Sequence, residues 1–276
     1  MKTSSSELKR HAKRTLKGRY GLCIGIQFIE FAILLAISLV YILTSFSMGL
    51  VRDPFLNGAR NVSAGYVVLK AGVYISFLII LSVYGLIKPG VLKIYMNMCN
   101  GQTAKLSDLL FAFQNKPHRF LGLYFINLLI GFAWGIPYFV VLIVAVITDF
   151  IPVMIVLLVL TYLLLLIGNI FTMLYLSQSM FLLVESPDQR VIGSLKESAA
   201  MMKGNKGGYF YLLISFIGMV VLGYCSMGIG FLWIIPYMQA TMTEYYLDLK
   251  ERISHNSPGR GGETSSQSMW NQENQW

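Results

Sequence analysis

The chain is written in apolar blocks of 17 or more residues, separated by short polar or basic segments. A helix rises about 1.5 Å per residue, so roughly 20 apolar residues cross the ~30 Å of a bilayer's hydrocarbon. Blocks of that length, repeated along 276 residues, point to an all-α, polytopic helical membrane protein. About six transmembrane helices are expected, with short amphipathic interfacial helices between them. Composition agrees: 13% of residues are charged, about half of the ~25% that soluble domains carry.

The spans are expected at about 21–47, 66–87, 120–148, 153–184, 209–227 and 231–247. The second should stop at Lys88-Pro89-Gly90, and Asp149 to Pro152 should form a tight turn, because an acid and a proline close an apolar run there. The fourth is longer than a bilayer needs and must tilt or project. The sixth is the weakest, since it carries Gln239, hydroxyl side chains and Glu244. The first block is about twice the length of a signal-peptide core and should stay as an anchor. Three divisions follow: a basic amphipathic segment 1–20, a membrane domain 21–250 and a disordered tail 251–276, rich in Gly, Ser, Gln and Asn.

Charge orients the spans. Of 22 Lys and Arg, seven precede the first span, five lie in 88–119, four in 190–206 and three in the tail. All these segments fall on one side when spans alternate, which the positive-inside bias assigns to the cytoplasm together with both termini. The net charge of +9 therefore serves orientation, and nucleic acid is not an expected partner. Asn61-Val62-Ser63 fits a glycosylation sequon that matters only in a eukaryotic secretory route.

Three cytoplasmic segments read as amphipathic helices. Ser4 and Glu7 make a capping box, followed by a Leu8, Ala12 and Leu16 stripe. Lys9, Arg10, Lys13, Arg14, Lys17 and Arg19 flank that stripe as candidate contacts for anionic lipid. Leu106, Leu109, Leu110 and Phe113 repeat before span three. Before span five, Ser186-Pro187-Asp188-Gln189 reads as a helix start, followed by Ile192, Leu195, Ala199 and Met202.

Glu30 lies nine residues into the first span, near mid-membrane, where a carboxylate must be neutral, paired or in a wet cavity. Lys70 is a possible partner, although snorkelling outward suits it better. Asn127 and Asn169 fall in the inner half of adjacent spans and could pair as interhelical glue. Gly21/Gly25 and Gly131/Gly135 have the spacing of close helix packing. Trp134-Gly135-Ile136-Pro137-Tyr138 resembles Trp233-Ile234-Ile235-Pro236-Tyr237, so Pro137 and Pro236 are candidate helix breaks of an inverted repeat. No phosphate-binding loop, HExxH or GxSxG is present. The three cysteines and three histidines suggest neither disulfide, metal nor cofactor.

Lys196-Glu197-Ser198, Met201-Met202-Lys203-Gly204-Asn205-Lys206, Leu213 to Gly218, Gly228 to Trp233, Pro236-Tyr237 and Tyr245 form an ordered series. With Leu16-Lys17-Gly18-Arg19-Tyr20-Gly21, the series resembles a bacterial family, common in Firmicutes, labelled domain of unknown function nine-seven-five. Gly168-Asn169 stands where members often carry Pro-Gly, and Glu30 lies outside the pattern. The resemblance implies a bacterial integral membrane protein and no established activity. The leading expectation is a non-enzymatic organiser or accessory protein at the inner leaflet, with anionic lipids as partners and a membrane protein as a further candidate partner. The alternative is a small transporter or permease that uses Glu30 and proline-broken helices.

Overall fold

The computed structural model describes residues 3–50 and 64–255, which are helical with no strand among them. The elements are α1 (Ser5–Leu16), α2 (Tyr20–Leu50), α3 (Ala64–Cys99), a 3-10 turn (Leu106–Leu110), α4 (Phe111–Gln114) and α5 (Pro117–Ile147). They continue with α6 (Pro152–Leu176), α7 (Ser179–Glu185), α8 (Val191–Met202), α9 (Lys206–Ile214), α10 (Ile217–Cys225) and α11 (Phe231–His255). The 52–63 loop, its sequon and the tail beyond His255 lie outside the described residues.

Five segments are long and apolar enough to cross a membrane: Tyr20–Leu43, Tyr74–Cys99, Pro117–Ile147, Pro152–Glu185 and Lys206–Cys225. The expected sixth span belongs to α11, whose second half carries Glu244, Asp248, Lys250, Glu251 and Arg252 and is not among them. The molecule divides into a packed base and projecting apolar arms. Its core gathers Leu8, Leu16, Ile26, Ile94, Phe120, Leu183, Met202, Leu212, Tyr246 and Leu249, all at the termini end of their helices. Beyond that level the pairs α2–α3 and α5–α6 expose Phe31, Leu35, Ile79, Phe132, Ile136, Ile147 and Leu160. Such surfaces are stable against lipid and unstable against water.

Several local expectations meet a different outcome. The second span does not stop at Pro89, because α3 continues through it to Cys99. The residues beyond are apolar and buried (Val91, Ile94, Met98), which offsets the one backbone bond a proline removes. Gly90 allows that packing, since a Cβ there would lie 2.1 Å from the Leu109 carbonyl oxygen. Pro137 and Pro236 likewise sit inside unbroken helices, so neither is a break.

The actual interruptions are Ser177-Gln178 and Ser215-Phe216. At the first, Ser198 of α8 donates to the Tyr175 carbonyl (2.8 Å) and accepts from the Gln178 N–H (3.1 Å). α8 buries Ser194 and Ser198 beside Met201 and Met202; of the expected apolar stripe, Met202 is buried and Leu195 packs against the core, whereas Ile192 lies outside. The helix begins at Val191, after the Ser186–Gln189 turn that was expected to start it. Before α5, Leu109 is buried while Leu106, Leu110 and Phe113 are exposed.

The α1 start is as expected: Glu7 N–H donates to Ser4 Oγ (3.3 Å) and Ser4 N–H to the Glu7 carboxylate (3.1 Å). The Asp149–Pro152 turn also forms, with Asp149 and Phe150 at φ 49° and 53° and Pro152 opening α6. Ser198→Ala removes both bonds at a fully buried site, and its expected cost is about 1–3 kcal/mol. Thermal unfolding in mild detergent measures it, and an exposed control such as Ser254→Ala leaves the midpoint unchanged.

Candidate functional site

The residues singled out in the sequence divide among three places. Glu30 faces Lys88 across α2 and α3, with Oε1 2.8 Å from Nζ. At that distance the ammonium and carboxylate form a charge-assisted contact. The Glu30 side chain is 13% exposed and that of Lys88 35%. The Lys88 ammonium also lies 5.2 Å from the Tyr84 ring centroid. Beside it, Tyr124 of α5 packs on Gly85 so closely that a Cβ there would be 2.9 Å from the ring. Glu30 thus has its partner one turn below the exposed part of α3, at the level where the arms leave the base.

Lys88 escaped the sequence reading because it was taken as the end of a span. Continuing the helix past Pro89 carries it inward to the carboxylate. An ion pair there fixes the register of α2 against α3, since each charge alone is costly away from water.

Asn169 stands at the α5–α6 seam beside Gly131, and neither it nor Asn127 joins Glu30. Each amide donates to its own helix, Asn127 to the Leu123 carbonyl (3.0 Å) and Asn169 to that of Leu165 (2.9 Å). The seam is set by small residues. Gly168 lies beneath the Trp134 ring, where a Cβ would come within 2.2 Å, and the Trp134 indole donates to Thr172 Oγ1 (2.9 Å). Gly131 and Gly135 face the same seam, whereas Gly21 and Gly25 meet open space. An apolar groove of about 450 Å³ follows, lined by Ile130, Trp134, Leu164, Phe171 and Tyr175. Trp233 of the matching pentapeptide is exposed and has no comparable seat.

The third place is the basic N-terminal helix. Leu8, Ala12 and Leu16 are buried against the base, so the stripe expected to enter lipid instead holds α1 to the protein. Arg10, Lys13, Arg14 and Lys17 remain exposed on the opposite face. Lys9 turns inward, donating to the Ser215 carbonyl (3.2 Å) over the Phe216 ring (4.4 Å), and burial lowers its pKa. Arg19 donates to the Met98 carbonyl (3.4 Å).

Sequence reasoning also missed the polar cluster that secures α11. The Tyr246 hydroxyl donates to Glu185 (2.6 Å), whose other oxygen pairs with Lys250. Arg252 bridges Asp248 (3.0 Å), and Tyr245 donates to the Asn205 carbonyl (3.0 Å). The only hint in the sequence was the density of charge after Thr243. Among the described residues no group of three His, Cys, Asp or Glu is placed to hold a metal ion, and Cys23, Cys99 and Cys225 are free.

Lys88→Ala leaves Glu30 without its counter-ion, with an expected loss of roughly 1–3 kcal/mol. This is below the ~3–5 kcal/mol for breaking a fully buried pair because Lys88 is partly solvated. Glu30→Gln combined with Lys88→Met recovers at least half of that loss. A double-mutant cycle on unfolding midpoints in detergent measures the coupling.

No curated protein and no solved structure matches the chain. A family model does match, over residues 1–253. The helices capable of spanning a membrane, the buried base and this near-complete match together place the chain in the family described as Protein of unknown function (DUF975).

Proposed function

We propose that this is a non-enzymatic organiser or accessory protein of the bacterial cytoplasmic membrane, with both termini in the cytoplasm. In this reading it presents a fixed cationic surface to anionic lipid at the inner leaflet. The observation that carries the reading is the seating of α1. Because Leu8, Ala12 and Leu16 are spent on the base, the helix cannot roll its apolar face into lipid. Arg10, Lys13, Arg14 and Lys17 are therefore held as an outward row beside the start of α2. Each basic residue near an anionic surface contributes about 1 kcal/mol, and a preformed row avoids the cost of folding on binding.

The permease alternative draws on less. Glu30 is engaged with Lys88, and both asparagines use their amides within their own helices. Among the described residues these groups belong to different helix pairs. The exposed apolar arms accept lipid, and they also offer area for a membrane-protein partner.

The decisive comparison uses the whole protein, since the apolar side of an isolated α1 peptide would be free to bind any membrane. Extracted in mild detergent, the wild type is expected to retain anionic phospholipid above its share of the membrane. Replacing Arg10, Lys13, Arg14 and Lys17 with Gln should reduce that enrichment severalfold without lowering the unfolding midpoint. An unchanged lipid complement, measured by mass spectrometry of co-purified lipid, rejects the proposal.

A further inference from the structure

Between Gly207 and Thr243 the chain carries no Asp, Glu, Lys, Arg or His. It folds there as a hairpin of α9, α10, the turn at 226–230 and the first half of α11. Lys206–Cys225 is long and apolar enough to cross a bilayer on its own, but a hairpin reaches only as deep as its shorter leg.

That leg is short. From Phe231 to Thr243, before the charges of α11 begin, there are 13 residues, or roughly 20 Å of helix against ~30 Å of hydrocarbon. The other leg is interrupted at Ser215-Phe216, leaving nine residues in α10, about 13 Å.

Contacts with neighbouring helices set the depth independently. The Gln27 amide donates to the Phe231 carbonyl at 3.1 Å, so the top of α11 is level with the second turn of α2. From Gln27, α2 continues to Leu50, roughly 34 Å further, with no hairpin beside it. At the lower end the Lys9 ammonium, carried by the basic helix α1, donates to the carbonyl at the Ser215 break. A cation of the surface layer therefore marks where α10 begins.

The tip has the chemistry of a segment dissolved in hydrocarbon. Met227 is 94% exposed, and Leu222, Tyr224 and Ile229 are also exposed. Its backbone is nonetheless satisfied from within. The N–H groups of Ser226, Met227, Gly228, Ile229, Phe231, Leu232, Trp233 and Ile234 donate to carbonyls inside the hairpin. The Gly230 N–H donates to Ser226 Oγ at 2.8 Å. Water would satisfy these donors at a surface loop, whereas in lipid they must be paired internally.

We propose that residues 217–235 form a re-entrant hairpin that enters only the leaflet on the side of the termini, with its tip among the acyl chains. The chain then crosses the membrane four times, by α2, α3, α5 and α6–α7. Exchanging two crossings for one re-entrant hairpin leaves every basic segment on the same side, so the charge pattern is kept. Its partner is the acyl region of one leaflet, into which it places apolar volume that the other leaflet does not receive.

Cys225 sits at the tip and is a natural probe. In sealed proteoliposomes of the full chain, a membrane-impermeant maleimide is expected to leave Cys225 unlabelled from either side, as read by peptide mass spectrometry. Detergent should then expose it. A chain carrying Asp149→Cys, in the α5–α6 turn, should label at that position from the side opposite the termini. A permeant bimane on Cys225 should be quenched more strongly by lipids brominated along the acyl chain than by a headgroup quencher. Labelling of Cys225 from the Asp149 side shows a full crossing and overturns the proposal. Labelling from the termini side, or stronger headgroup quenching, shows that the hairpin is not inserted and equally overturns it.

Discussion

Tyr246 is the residue through which the base closes. It is fully buried, its ring stacks on Phe181 at 4.8 Å, and its hydroxyl donates to Glu185. That one side chain joins α11 to α7, and Lys250 one turn later repeats the link to the same carboxylate. A buried tyrosine stabilises through area only if its hydroxyl is also satisfied. Glu185, at the last turn of α7 with its side chain 34% exposed, supplies the acceptor without full desolvation of its charge. With α11 held there, its opposite face is free to receive α1, so the order of assembly in space runs from α7 through α11 to the N-terminal helix.

The arms depend on this base because they contribute little of their own. α2 meets α3, and α5 meets α6, along single seams, and most other side chains face outward. Helices in lipid gain no hydrophobic drive from approaching one another, so seams rest on small residues, close packing and polar contacts. Gly168 under Trp134 serves the second pair. The ion pair of Glu30 and Lys88 serves the first. The first seam is secured near its termini end and the second near mid-length, and the arms otherwise face outward.

The sequence was informative wherever one local signal decided the outcome. Ser4 and Glu7 cap α1 because the groups that satisfy each other are three residues apart. Asp149 to Pro152 turns the chain because proline and an acid both end an apolar run. It was uninformative wherever the outcome depended on a distant partner. Glu30 was visible as an anomaly, but Lys88 was not visible as its answer, since a lysine before Pro-Gly reads as the end of a span. The α8 stripe was incomplete for a related reason. Apolar periodicity put Ile192 on the buried face with Leu195 and Met202, whereas Ile192 is exposed and the buried face also carries Ser198, whose hydroxyl serves the break at Ser177-Gln178. Pro137 and Pro236 look like interruptions in any sequence, yet α5 and α11 run unbroken through them.

What the sequence determined by itself is the solvent of the protein and the spacing of its basic residues between apolar blocks. Apolar blocks longer than any soluble helix requires, with basic residues gathered between alternate blocks, leave one physical solution, a helical chain threaded through lipid. Hydropathy is a property of single segments and survives any arrangement of them. Tertiary structure alone decided which face of α1 is spent on protein and which on its surroundings, which charge answers Glu30, and how far the last hairpin extends beside α2. Those outcomes rest on register between helices tens of residues apart, where a shift of one turn moves a side chain about 5 Å and exchanges one partner for another.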